Sequence, residues 1–320
     1  MSLVTVVVVN WNAGYQLAET IESIGKHHAN LVDSVVIVDN ASSDDSLSHV
    51  EGGAALPFNL ELILNDENRG FAAACNQGAS LAKTPYLLFL NPDAKLVENS
   101  LPKAITFMEE KSNQSIGICG VQLLDEHGFV ARSCSRFPTW LTFFIHSLGL
   151  NRLPWFRGFS LHMAEWDHSD TRRVDHVIGA FFLVRHSVFE QLKGFDQRFF
   201  IYLEDLDFSR RAALLGYGSI YLADVQAFHA GGGTSRQVKA ARLFYSLRSR
   251  VLYAFKHFAP IAAWIVLMLT LFVEPFSRLG FSMVAGETRD SRHTLQAYRM
   301  LLGDLPAIIR SALTLSADNP

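Results

Sequence analysis

In the first ninety residues, short unbroken apolar blocks alternate with segments of helical spacing. Residues 4–9 (VTVVVV) are a continuous β-branched run, as expected for a strand covered on both faces. Leu17, Ile21 and Ile24 recur three and four apart and predict a helix over 16–27. A second strand is expected at 34–38, a third at 60–64 and a fourth at 86–90. A helix of small residues is expected at 71–81. Strands alternating with helices in this way imply right-handed βαβ units and a mainly parallel sheet. Ligands of such sheets sit beyond the carboxyl ends of the strands. The polar residues that follow strands one, two and four therefore share one neighbourhood.

The middle of the chain reads differently. Residues 116–123 and 129–131 predict a strand pair around the turn Asp125-Glu126-His127-Gly128. From about 135 to 170, aromatics, Arg and His mix without a clear period. A strand is expected at 177–184, a helix at 204–215 with Gly216 as its C-cap, and a short strand at 219–222. Beyond 237 the pattern is helical to the end.

Composition narrows the classes. Apolar residues make up 49% and charged residues 18%, which fits a buried core and argues against disorder. The net charge of −3 gives no basic excess, so nucleic acid is not a favoured partner. Twenty-four Phe point either to a Phe-heavy core or to an apolar partner or membrane. Cys75, Cys119 and Cys134 are odd in number and form no CxxC pair, which reads as reduced cytosolic thiols. The opening MSLVTVVVVNWN lacks a basic n-region and a small-residue cleavage site, so it reads as a strand and not a signal peptide. The run 259–273 is the most apolar. It falls short of the roughly 20 residues that span a bilayer, and Glu274-Pro275 closes it, so no transmembrane helix is expected.

Several polar groups stand where chemistry is done. Asp39 follows VVIV and Asp93 follows LLFLNP, each a carboxylate just past a buried strand, where turn or capping roles are the plain alternative. There is no GxGxxG after the first strand and no GxxxxGK[ST], which removes the main support for a dinucleotide oxidoreductase or a P-loop NTPase. A nucleotide's base and ribose remain compatible with Asn10, Asn12 and Asp39. Arg69 and Gly70 open a helix, an arrangement that suits a diphosphate and also an ordinary cap. Glu204, Asp205 and Asp207 lie within four residues beside Phe199, Phe200 and Tyr202. Helical spacing puts Glu204 and Asp207 on one face and turns Asp205 elsewhere. A partly buried carboxylate there has the raised proton affinity of a general base. His229, on a Gly-rich turn, is a candidate metal ligand or a structural histidine.

The segments VVVVNWN, VIVDNASSDDS, NRGFAAACNQG, FLNPDA, GAFFLVR, GFDQRFFIYLEDLDFSRR and HAGGGTS are each weak alone. In this order and spacing, over roughly residues 3 to 250, they resemble glycosyltransferase family 2 and, within it, the rhamnosyltransferase-like branch of bacterial polysaccharide and O-antigen synthesis. The resemblance implies a GT-A fold, a Rossmann-like, mostly parallel sheet with helices on both faces. It implies a catalytic domain over 1–236 and a helical extension over 237–320 for a membrane interface or oligomerisation. Asn10, Asn12, Asp39 and Asn40 would line the base and ribose pocket, and Arg69, Gly70 and Asn76 would lie near the nucleotide and its diphosphate. Asp196 would lie on the acceptor side, and the Glu204–Asp205 pair would hold the catalytic base, with Asp205 favoured.

Asp93 would bind Mg²⁺ or Mn²⁺ at the family's DxD position, with His229 as second ligand. Here that motif is Asn91-Pro92-Asp93, so the cation would lean on the donor diphosphate and water. The implied reaction is an inverting transfer from dTDP-L-rhamnose, UDP-galactofuranose or another UDP-hexose. The implied acceptor is a lipid-linked saccharide, met in the cytoplasm or peripherally on the cytoplasmic face of the inner membrane. Arg242, Arg248, Arg250 and Lys256 ahead of the apolar run suit an interfacial helix, as they do a helix packed on the catalytic domain or a second subunit. A non-catalytic sugar-nucleotide-binding protein would not need Asp93, the acidic pair and His229 together. A nucleotidyltransferase would carry a Gly-rich basic loop after strand one, which Asn10-Trp11-Asn12-Ala13-Gly14 is not.

Overall fold

The computed structural model describes residues 2–51, 56–163, 165–231, 238–284 and 288–317. The Gly-rich turn after His229 passes outside the described residues at Gly232, as does the expected boundary at 236/237. Two compact units emerge. The first comprises Met1–Arg136, Trp166–Gln197 and Glu204–Thr234, the second Phe137–Glu165, Arg198–Leu203 and Ser235–Pro320.

In chain order the first unit runs β1 (Val4–Asn10), α1 (Tyr15–His28), β2 (Val32–Asp39), α2 (Ser46–Glu51), β3 (Asn59–Leu64), α3 (Phe71–Ala79), β4 (Tyr86–Leu90), β5 (Ala94–Leu96), α4 (Ser100–Glu109), β6 (Ile116–Leu124) and β7 (Cys134–Ser135). Helix α5 (Trp140–Ser147) belongs to the second unit. The first then resumes with β8 (Arg172–Val174), β9 (His176–Val177), β10 (Phe181–Arg185), α6 (His186–Gln191), α7 (Glu204–Leu214) and β11 (Gly218–His229).

The main sheet has the order β3-β2-β1-β4-β10-β6-β11-β5, with β8 added beside β11. β3, β2, β1 and β4 are mutually parallel. β10 is antiparallel to both β4 and β6, and β11 returns parallel to β6. The expected mostly parallel sheet is present, with one reversed strand in its middle. The expected strand at 129–131 is only a bridge between Leu124 and Val130. Asp125 Oδ1 accepts the backbone N–H groups of His127 and Phe129, holding a local turn, and the exposed Phe129 has no face to bury.

Helices cover both faces. Leu17, Ile21 and Ile24 of α1 and Leu101, Ala104 and Ile105 of α4 pack on the face shown by Val4, Val6 and Val8. The other face carries α3, whose small residues let it lie close: a Cβ at Gly78 would stand 2.4 Å from Val7 Cγ1. It also carries a cluster of Phe89, Phe182, Phe189, Phe195 and Phe208 with ring centroids 4.9 to 6.4 Å apart. Each buried ring contributes roughly 1.5–3 kcal/mol by removal from water, so part of the Phe content is core.

The second unit holds α5, α8 (Lys239–His257), α9 (Pro260–Phe272), α10 (Glu274–Val284) and α11 (Thr288–Ala317). The apolar stretch is longer than the sequence reading allowed. Pro260–Val284, 25 residues, is long and apolar enough by length and composition to cross a membrane. Glu274-Pro275 does not end it. Proline in a helix's first turn forfeits no hydrogen bond, and Glu274 is buried in ion pairs with Arg250 and Arg278. Two of the four basic residues ahead of the run are likewise internal: Arg250 through Glu274, and Arg248 through Asp304 and the Arg198 carbonyl.

In α7 the three acids take different surroundings. Asp207, fully buried, accepts from Arg211 Nε at 2.8 Å, while the Arg211 NH groups donate to the carbonyls of Leu192 and Gly194. This pair fixes α7 to the Gly194 turn. Removing one partner of a buried pair strands the other charge, so Asp207→Ala should destabilise folding by about 3–5 kcal/mol, measurable by urea or thermal unfolding.

Candidate active site

Strand register sets the site. Asn10 pairs with Asp39 at the carboxyl ends of β1 and β2. Val8 pairs with Leu90, so the Asn91-Pro92-Asp93 turn leaves β4 at the same edge. Because β10 runs backwards, its first residue Phe181 pairs with Leu90, and Gly179 lies at that edge too. His229 ends β11 opposite Ala94. The edge is therefore lined by residues from five strand ends.

At one end is a dense polar network. Asn10 Nδ2 donates to Asp39 Oδ1 (2.7 Å), Ser46 Oγ (2.8 Å) and Ser42 Oγ (3.1 Å). Asp39 also accepts from the Ser42 backbone and hydroxyl. Asn12 Oδ1 receives the N–H groups of Ser43 and Asp44. The carboxylate beside Nδ2 fixes which end of the Asn10 amide is NH₂. Its Oδ1 is buried and has no partner among the described residues, so it is an acceptor open to a donor.

Asn40 links this network to α3, donating from Nδ2 to the Gly70 carbonyl (3.2 Å) and accepting from Asn65 (2.9 Å). Gly70 stands at φ +86°, a conformation that favours glycine, and no side chain caps the helix it begins. Exposed Arg69 precedes that uncapped start. Asn76 stands apart from this row. Its amide accepts from the Phe195 N–H and donates to the Phe195 carbonyl, tying α3 to the turn that carries half-buried Asp196.

Asp93 and His229 meet. His229 Nε2 is 3.3 Å from Asp93 Oδ1, both largely buried, and Asn91 Nδ2 is 3.2 Å from the same nitrogen. The Ala230 N–H donates to the Asp93 carbonyl and the Pro92 carbonyl accepts from Thr20, so the backbone beside both residues is held. Neighbouring ligands of an octahedral cation at about 2.1 Å would lie about 3 Å apart, so one carboxylate and one imidazole fit a shared ion. Among the described residues no group of three or more His, Cys, Asp or Glu gathers to hold a metal. Asp93 and His229 alone would leave the remaining positions of such an ion to other oxygens.

The acidic pair separates by environment. Tyr202 and Leu203, at φ +70° and +65°, turn the chain into α7 just before Glu204. Glu204 is buried and its Oε2 lacks a partner among the described residues. Burial first, and then the Asp205 charge, push its carboxyl well above the usual 4.5. Asp205, with a side chain 16% exposed, accepts from the Gly179 N–H at 2.8 Å and lies 3.6 Å from His176 Nε2. A Cβ at Gly179 would stand 3.3 Å from Asp205 Oδ2. Cys75 on α3 lies close enough that, after burial, the charges of Glu204 and Asp205 raise its thiol further. His176, Gly179 and Asn91 are thus the site's unforeseen members. The signal for His176 was a histidine in VDHVIG, just ahead of the apolar strand FFLV.

The family model described as "Glycosyl transferase family 2" matches residues 5–193, more than half of the chain. The chain belongs to glycosyltransferase family 2. This family 2 chain is 29% identical over 176 residues to the rhamnosyltransferase WbbL of Escherichia coli K12, a match covering 54% of this chain and 62% of that protein. It is 26% identical over 238 residues to the N-acetylglucosaminyl-diphospho-decaprenol L-rhamnosyltransferase of Mycobacterium tuberculosis, covering 70% and 75%.

Among solved structures, the mannosyltransferase PcManGT from Pyrobaculum calidifontis, in complex with GDP-Man and Mn²⁺, superposes with a TM-score of 0.53 at 18% identity, covering 98% of this chain and 86% of that one. Staphylococcus aureus TarS 1-349 in complex with UDP-GlcNAc gives 0.53 at 18% identity, covering 99% and 89%. These likenesses are of fold, and the fold is GT-A.

Glu204 carries a stability signature. Its folded-state pKa is raised, so its contribution is full below about 4.5 and is lost as the pH rises toward the folded value. Glu204→Gln should raise the unfolding midpoint at about pH 8 and match the wild type at about pH 4. Equal midpoints at both pH values in a thermal melt would show that burial does not perturb this carboxyl.

Proposed function

We propose that the chain is an inverting glycosyltransferase that moves a sugar from a nucleoside diphosphate onto a saccharide acceptor. The observation that carries this reading is the meeting of Asp93 with His229 on the sheet edge that also holds Asp205. The favoured donor is dTDP-L-rhamnose, because both relatives above bear the rhamnosyltransferase name. A UDP-hexose or UDP-galactofuranose is the alternative. The lipid-linked acceptor is supported by the decaprenol-linked substrate in the Mycobacterium relative's name.

The roles follow from the surroundings. The orphaned Asn10 Oδ1 suits an N–H of the base, with Asp39, Asn12 and Asn40 about it. The uncapped start of α3, with Gly70 and Arg69, suits the diphosphate. Asn76 serves through the turn that bears Asp196, which faces the acceptor. Asp93 and His229 would hold Mg²⁺ or Mn²⁺, which neutralises charge on the departing diphosphate. Asp205 takes the proton of the acceptor hydroxyl as its oxygen attacks the anomeric carbon. It is the base rather than Glu204 because it is accessible and receives the Gly179 N–H, whereas Glu204 is sealed in.

The catalytic work belongs to 1–236 and the helical remainder serves a membrane interface. In α9 and α10 the polar residues Thr270, Glu274 and Ser282 are buried, while Ile261, Met268, Phe272, Phe276 and Met283 are exposed along one side. A helix that hides polar groups and shows apolar ones suits lipid more than water. The protein would work peripherally on the cytoplasmic face of the inner membrane.

Two measurements test this. In a donor-hydrolysis and transfer assay across dTDP- and UDP-sugars, Asp205→Asn should lower turnover by about 10²–10⁴-fold with donor binding retained, and Asp93→Ala should weaken metal-dependent donor binding. Full activity of both variants with a matched donor and acceptor would refute the assignment. Ile265→Asp with Phe272→Asp should abolish co-sedimentation with liposomes; unchanged sedimentation of the folded variant would remove the membrane role.

A further inference from the structure

Behind Asp205 lies a row of hydrogen-bonding groups on α7 and β9. Ser209, one turn further along α7, donates its only hydroxyl hydrogen to the Asp205 carbonyl at 2.9 Å. Its oxygen also stands 3.2 Å from His176 Nδ1. With its hydrogen committed, Ser209 can only accept there, so Nδ1 carries a hydrogen. The other ring nitrogen, Nε2, lies 3.6 Å from Asp205 Oδ2, and His176 is 4% exposed at its side chain. If Nε2 and the carboxylate were both bare, two lone pairs would confront each other in a buried corner. A proton between them removes that conflict, and with Nδ1 already protonated it makes the ring an imidazolium facing a carboxylate. The Gly179 N–H, at 2.8 Å from the same Oδ2, completes a cradle of donors.

We propose that His176 is a positioning residue for Asp205, holding the carboxylate ionised and in one rotamer by sharing a proton with Oδ2. The proposal rests on Asp205 being the base. Its purpose follows from the surroundings. Asp205 sits beside Glu204 and its side chain is 16% exposed, so water does little to hold its orientation. A charged donor on the far side of Oδ2 takes that place. During transfer the acceptor O–H bond breaks and its proton joins the Asp205 carboxylate. The acceptor oxygen bonds the anomeric carbon, and the sugar–diphosphate C–O bond breaks with its electron pair leaving on the diphosphate. His176 keeps both of its protons throughout and touches no reacting atom.

The other titratable groups on the elements packed against β9 do not imitate this. They are Glu204, Asp207, Arg210 and Arg211 on α7, with Asp207 and Arg211 already paired to each other, Cys119 on β6, Cys134 on β7, and Tyr221, Asp224 and His229 on β11. Burial pushes Cys134 up to about 12, and Cys119 and Tyr221 higher still, so none of these three changes charge near neutrality. Asp224 and His229 lie five and ten residues further along β11 than Ser219, which pairs with Val174 just before β9. Glu204 is the carboxyl next to Asp205, and a Glu204→Gln background isolates it.

The test is the pH dependence of kcat/KM for His176→Gln, which keeps a donor toward Oδ2 without the charge, and His176→Leu, which keeps neither. The acid limb should move to higher pH by about one unit or more in the Leu variant, less in Gln, with donor KM within about twofold of wild type, and the same order should hold in the Glu204→Gln background. Ser209→Ala, which frees the tautomer, should give a smaller shift in the same direction and covers the case in which the His176 variants do not fold. Acid limbs that superimpose on wild type, with Asp205→Asn inactive, overturn the role of His176 and leave the base in place. A fully active Asp205→Asn overturns the base itself.

Discussion

The reversed strand in the middle of the sheet organises the site. β10 enters the sheet between β4 and β6 against their direction, so its beginning, and not its end, meets the edge where β1, β2 and β4 finish. The short link Ile178-Gly179-Ala180 thereby presents a backbone N–H to Asp205 from a rigid sheet. A parallel strand in that place would send the same residues to the opposite edge. The ladder between β5 and β11 acts in the same manner on Asp93 and His229, which face each other because Ala94 pairs with His229. Backbone pairing, which carries no sequence-specific chemistry of its own, thus places the reactive groups.

Around that frame the polar groups divide by solvation. Those around Asn10 and Asp39 bond one another through the Asn10 amide nitrogen, the Asp39 carboxylate and the hydroxyls of Ser42 and Ser46, which holds both residues in place. In α7 the helix sorts three successive acids into a buried ion pair, a buried uncompensated carboxyl and an accessible cradled carboxylate. The uncompensated one, Glu204, is the energetic weak point of the site. Its burial costs stability at neutral pH.

Much of this was legible in the amino-acid order. β1, β2 and β4 show as unbroken apolar runs because both faces are covered, and the polar residues after them announce the edge. The Glu204–Asp207 face and the divergence of Asp205 follow from helical spacing alone. What stayed hidden depends on register and direction. No local pattern shows that β10 is reversed, so Gly179 was visible only as a glycine in a motif. His176 reads as one polar residue in a strand until β9 is seen beside α7. Glu274-Pro275 looked like a stop because an unpaired Glu would be one, and its partners Arg250 and Arg278 lie 24 residues before it and 4 after it. The sorting of polar inward and apolar outward along α9 and α10 is a tertiary fact that composition does not carry.

The close seat of α3 on the sheet has one more effect. With Val7 only 2.4 Å from where a side chain at Gly78 would begin, the helix rests on the strand backbone with no slack. Gly78 therefore works as a spacer gauge. It sets how high the opening turn at Arg69 and Gly70 stands above the strand tips, about two turns away along the same rod. Even a methyl group at this remote position would lift the whole rod and tilt its mouth, altering a turn that it never touches.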